Sequence, residues 1–110
     1  MPMFSFDKSS YESRLMDVLQ NKFFKTARRN KIIAKWTGGR LGYKGATLNK
    51  YVKNIIFSYL AVPNDRKMID KILSDFKKAN IHMTEETIRQ KIKTVEIRIK
   101  NKEMGLKNAG

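Results

Sequence analysis

Apolar residues recur along this chain at steps of three and four, the period that lays them on one face of a helix. The cleanest run is Leu48, Tyr51, Val52, Ile55, Tyr59 and Val62. It predicts a helix started by Gly45 or Thr47 and ended by Pro63, because the residue before a proline is steered away from helical angles. Asn64 or Asp65 is placed to cap a next helix with Ile69, Ile72, Leu73 and Phe76 turned inward and Asn80 as its terminator. Thr84 then caps a last helix whose stripe is Ile88, Ile92, Val95 and Ile99. Glu85 and Glu86 stand at its positive end, and Met83 is positioned to staple against Ile88. From Gly105 onward the chain is expected to fray.

Ahead of these runs lies the stretch from Phe23 to Gly45, which holds Trp36, the single tryptophan. Phe23, Phe24, Ala27, Ile33, Ala34 and Trp36 form its apolar face, and Lys25, Arg28, Arg29, Lys31 and Lys35 fill the remainder. A stop is expected at Gly38 or Gly39, since glycine adopts the left-handed cap without steric cost, with Leu41 folding back on the preceding turn. A phosphate-binding loop is disfavoured here. No strand precedes the glycines, and the order Gly39, Gly42, Lys44, Gly45 matches no nucleotide fingerprint. Further upstream, Ser9 and Glu12 fit a capping box, and Tyr11, Leu15, Val18 and Leu19 make a weaker stripe. With no helix breaker between Ser10 and Thr37, this part is either the start of one long helix or a segment that orders against a partner.

Short connections and the absence of strand-like alternation give the fold class: all-α, an antiparallel four-helix bundle with a partly mobile N-terminal segment. Residues 1–20 form that segment and 21–110 the bundle domain. A length of 110 residues is one domain. The lack of cysteine removes disulfides and thiolate chemistry. No apolar run approaches a signal peptide or a membrane span, which makes the cytoplasm the expected compartment.

Charge adds a further constraint. Twenty-four basic residues against 10 acidic ones give +14, enough to attract a polyanion, whether nucleic acid, lipid headgroups or an acidic protein. Seventeen of the 24 are lysine and they spread through every helix, so A+T-rich coding is the plainer explanation. Catalytic chemistry finds little footing. His82 stands alone in a connection, the serines lack an activating partner, and Asp65, Asp70 and Asp75 at five-residue spacing turn away from one another. A non-enzyme without metal or cofactor is expected. Arg28, Arg29 and Lys31 with Asn30 read either as a docking surface or as a solvated helix face, and Trp36 as a core anchor ahead of an interface hot spot.

The run Ala27-Arg28-Arg29-Asn30-Lys31, two aliphatic residues, Trp36, then Leu41-Gly42 and Gly45, resembles the zeta subunit of the alphaproteobacterial F-type ATP synthase, a small helical inhibitor. Phe6-Asp7 is similar to that family's opening residues, and Tyr51, Ile88-Arg89 and Lys91 fall where it has similar ones. The resemblance implies a helical bundle that docks, as a monomer when free, on the catalytic-sector subunits at the inner face of the cell membrane. It also implies an N-terminal segment that inserts at a catalytic interface and suppresses ATP hydrolysis. Phe6, Asp7, Tyr11, Glu12, Leu15 and Leu19 are the expected contact residues. Ala27, Arg28, Arg29, Asn30, Lys31, Trp36, Gly42 and Gly45 are the expected structural or docking set. Between Asp7 and Ala27 the chain is shorter and poorer in acids than the family pattern, a departure that leaves the strength of inhibition open and allows docking with weakened inhibition. The competing class is a small basic nucleic-acid-binding protein, whereas in a zeta-like subunit nucleic acid would be held only nonspecifically, through net charge.

Overall fold

The computed structural model describes residues 22–109, with side chains described through residue 103. Four helices run through it: α1 over 22–40, α2 Gly45–Ala61, α3 Asp65–Lys78 and α4 Glu85–Ala109. There is no strand among the described residues, and the fold is an all-α four-helix bundle. The helix expected near Ser10 lies outside the described residues.

The stops and starts follow from local chemistry. Helix α1 runs through Gly38 and Gly39, where its end was expected, and closes later on Gly42 at φ 89. The Tyr43 N–H donates to the Gly38 carbonyl at 2.9 Å and the Gly42 N–H to that of Gly39 at 3.1 Å, the paired bonds of a Schellman cap. A second such cap ends α3, with Asn80 in the left-handed region at φ 58 and the Ile81 N–H donating to the Phe76 carbonyl at 2.9 Å. Asn64 caps α3 through a bond from the Lys67 N–H, 3.1 Å, and Thr84 caps α4 through one from the Thr87 N–H, also 3.1 Å. Helix α2 departs from expectation. Its N-cap is Lys44, whose side chain makes no capping bond, while Gly45 is its first residue, at φ 55, and Thr47 lies inside the helix. Pro63 does end α2, and the helical span of α4 includes Gly105 and runs to Ala109.

The core draws on all four helices. Ile33 and Ala34 from α1 meet Val52 and Ile55 from α2, Met68, Ile69, Ile72 and Phe76 from α3, and Ile88, Ile92, Val95 and Ile99 from α4. Trp36 is half-buried with its ring edge-on to Phe76, 6.0 Å between centroids, which is the core-anchor role. Met83 is also half-buried against this cluster, as a staple requires. Two expected core members are not inside: Phe23 and Phe24 are 51% and 62% exposed. Val62, at the C-cap of α2, is exposed as well.

Candidate functional site

The inward face of α1 is rotated from the one periodicity suggests, and it carries polar groups: Arg29, Asn30 and Thr37 are buried beside Ile33 and Ala34. Arg29 is only 7% exposed. Its guanidinium forks onto Asp65 at the start of α3, 2.7 and 3.2 Å, and donates to Glu96 of α4 at 3.0 Å. The Nε donates to the Asn30 amide oxygen at 3.0 Å. Tyr59 of α2 completes the arrangement by donating its hydroxyl to Asp65 at 2.8 Å, with its ring 5.7 Å from the Arg29 carbon. One side chain of α1 is thereby bonded to α3 and α4 and stacked on α2. Burial works against the charged guanidinium, yet the hydrogen bonds to Asp65 and Glu96 outweigh it and raise the Arg29 pKa further. The bonds from Arg29, with a smaller share from Tyr59, hold the Asp65 carboxyl below its ordinary value against the opposing effect of partial burial. Burial first, and then the bond to Asp65, push the Tyr59 hydroxyl up.

A second polar pair lies nearer the glycine turn. Tyr51 donates its hydroxyl to Asp75 at 2.7 Å, and Lys71 reaches the other oxygen of that carboxylate at 2.8 Å. Burial and the Asp75 bond raise the Tyr51 pKa. Tyr43 leans on the Tyr51 ring at 5.4 Å, and Leu48 and Tyr51 of α2 pack close over Gly38. A Cβ there would stand 3.3 Å from the Tyr51 ring and 2.5 Å from the Leu48 side chain.

Neither polar cluster has the form of a catalytic or metal site. Among the described residues no group of three or more His, Cys, Asp or Glu converges, and every buried side-chain nitrogen or oxygen has a hydrogen-bond partner. The three aspartates serve separate sets of partners: Asp65 takes Arg29 and Tyr59, Asp70 takes Arg66, and Asp75 takes Tyr51 and Lys71.

A mainly apolar groove of about 440 Å³ opens between the first turns of α1 and the last turns of α2, lined by Phe23, Ala27, Ile56, Tyr59, Leu60 and Pro63 together with Lys22, Thr26 and Asn30. This surface accounts for the exposure of Phe23 outside the core. Arg28 and Lys31 face solvent as expected, whereas Arg29 and Asn30 do not: the solvated-face reading fails for them because Asp65 and Glu96 supply the partners that let a guanidinium be buried. Gly42 and Gly45 occupy the two positive-φ positions of the turn, and Trp36 is flanked by Arg40 and Lys91 at 5.6 and 5.7 Å from its ring. Phe6, Asp7, Tyr11, Glu12, Leu15 and Leu19 lie outside the described residues. The Arg29 cluster and the groove were missed in the sequence; the exposed-looking acids Asp65 and Glu96 gave no local sign of their partner.

Comparison with protein families matches the model of "ATPase inhibitor subunit zeta" to residues 1–102. Comparison with curated proteins and with solved structures gives no match. The family match spans nearly all of the chain, which therefore belongs to the ATPase inhibitor subunit zeta family.

Proposed function

We propose that this family member is a regulatory, non-catalytic subunit that binds the catalytic sector of the F-type ATP synthase and suppresses ATP hydrolysis by inserting its N-terminal segment at a catalytic interface. The observation that carries the reading is the family match from residue 1 to residue 102, which takes in the front segment as well as the bundle. The described body is compatible with that division of labour. Among the described residues, its buried apolar cluster is assembled from positions between Ile33 and Ile99. Phe6, Asp7, Tyr11, Glu12, Leu15 and Leu19 supply an aromatic, acidic and aliphatic mix suited to a groove between subunits. No described helix is long and apolar enough to cross a membrane. In this reading the protein sits in the cytoplasm and reaches the inner membrane face only through the enzyme.

The test is deletion of residues 1–20. We expect the remainder to keep its helicity and its affinity for the catalytic sector within about tenfold, while inhibition of ATP hydrolysis by the purified enzyme disappears. A truncated protein that inhibits as well as the full chain refutes the insertion mechanism. A full chain that neither binds nor slows the cognate enzyme at micromolar excess refutes the assignment as a whole.

A further inference from the structure

We propose that the groove between α1 and the end of α2 is a docking site for an amphipathic helix with acidic flanks, presented by the catalytic sector; this deepens the function proposed above and rests on it. Charge distribution is the first argument. From Lys22 to Asn64 the chain holds ten Lys or Arg and not one Asp or Glu. Every described carboxylate belongs to α3 or α4, and all of them except Glu86 are engaged in ion pairs. Arg29 and Lys25 are neutralised from that side, by Asp65 and Glu96 and by Glu103. Lys31 and Lys53 are not. Lys31 stands one turn beyond Ala27 on one wall of the groove and Lys53 one turn before Ile56 on the other, both exposed and neither within ion-pair distance of a described carboxylate.

Shape is the second. The basic rim borders a concave apolar floor, and Leu60 on its wall is 44% exposed with Phe57 beside it at 62%. A helix about 10 Å across, with apolar residues at steps of three and four, seats in such a trough in the way a flat lipid surface or a phosphate backbone does not. Carboxylates on the flanks of that helix would meet Lys31 and Lys53. Position is the third. Lys22 and Phe23, the first described residues of α1, line the groove, so it lies close in sequence to the proposed inserting segment, and binding of the two by one partner would be mutually reinforcing.

Two single substitutions in the full chain test this, with binding to the purified catalytic sector measured by calorimetry and ATP hydrolysis followed in parallel. Leu60→Gln removes an apolar contact and Lys53→Glu reverses a rim charge. Both positions are exposed, so far-UV dichroism and the thermal midpoint should stay at wild-type values. Each variant is expected to bind tenfold or more weakly, with inhibition regained at higher protein concentration. The wild-type affinity should fall as salt rises, and that of Lys53→Glu should fall less steeply. Wild-type affinity in both variants, while deletion of residues 1–20 abolishes inhibition, overturns the docking site and leaves the proposed function standing. Should Leu60→Gln instead weaken binding to anionic vesicles or duplex DNA and leave the catalytic sector untouched, the groove belongs to that polyanion and the proposal fails.

Discussion

Replacing Arg29 by methionine keeps most of the aliphatic stem in place and deletes the guanidinium, which isolates the worth of its bonds. Three hydrogen bonds to carboxylates disappear, two to Asp65 and one to Glu96, together with the bond from Nε to the buried Asn30 amide oxygen. Bonds to charged groups contribute about 1.5 to 3 kcal/mol each where solvent cannot substitute. Here it partly can, because the Asp65 and Glu96 side chains are 43% and 51% exposed and rehydrate once abandoned. The expected loss is therefore about 2 to 3 kcal/mol, below the roughly 3 to 5 kcal/mol of breaking a fully buried pair. For a domain of this size that lowers the thermal midpoint by about 10 to 15 °C. Urea unfolding at pH 7 followed by circular dichroism measures it, with Arg28→Met as control. Arg28 is exposed, so its substitution should stay within about 0.5 kcal/mol of wild type. Arg29→Lys should recover little, because an ammonium cannot fork onto Asp65 while also reaching Glu96. If Arg29→Met is no more destabilising than Arg28→Met, the cluster is not what fixes α1 to the bundle.

The glycines of the turn separate by conformation. Gly39 is helical with open space around its missing Cβ, so Gly39→Ala should stabilise by about 0.5 to 1 kcal/mol, whereas Gly42→Ala at φ 89 should cost about 1 to 2 kcal/mol; denaturant midpoints of the two variants, which should move in opposite directions, check this. Acid should weaken the fold through Glu85, whose pKa is pulled down to about 2 by bonds from Arg66 and then Arg89. The unfolded chain takes up that proton near 4.5 and the folded one only near 2, so stability present above 4.5 is lost as pH falls between those values. Glu85→Gln should flatten the fall in urea midpoint over that window, and an unchanged slope would count against the Glu85 contribution.

Much of the fold is legible from the chain because it is written in local signals. The stripe of α4 at Ile88, Ile92, Val95 and Ile99 is buried as periodicity requires, and Asn64, Asn80 and Thr84 mark helix ends by chemistry confined to a few residues. Failure came where a distant residue decides the outcome. Nothing near Arg29 in sequence tells that Asp65 and Glu96, 36 and 67 positions away, will let it turn inward, so the face of α1 was assigned to Phe23 and Phe24 instead. The end of α1 was misplaced for a related reason. Gly38 is needed for the close approach of Leu48 and Tyr51, a tertiary demand, while Gly42 alone supplies the left-handed closure. The groove has no local sign in the sequence either, because only the pairing of α1 with the end of α2 brings its two walls together.

The Arg29 cluster also determines how the body bears load. It lies two turns, about 10 Å, from residue 22, so tension applied to the chain ahead of that point travels down α1 and meets the guanidinium before it reaches Ile33. There the strain divides among three anchors, a carboxylate on each of two helices and an aromatic ring on a third. A tether fastened at three points on three helices opposes both sliding and twisting of α1 ahead of the apolar interior.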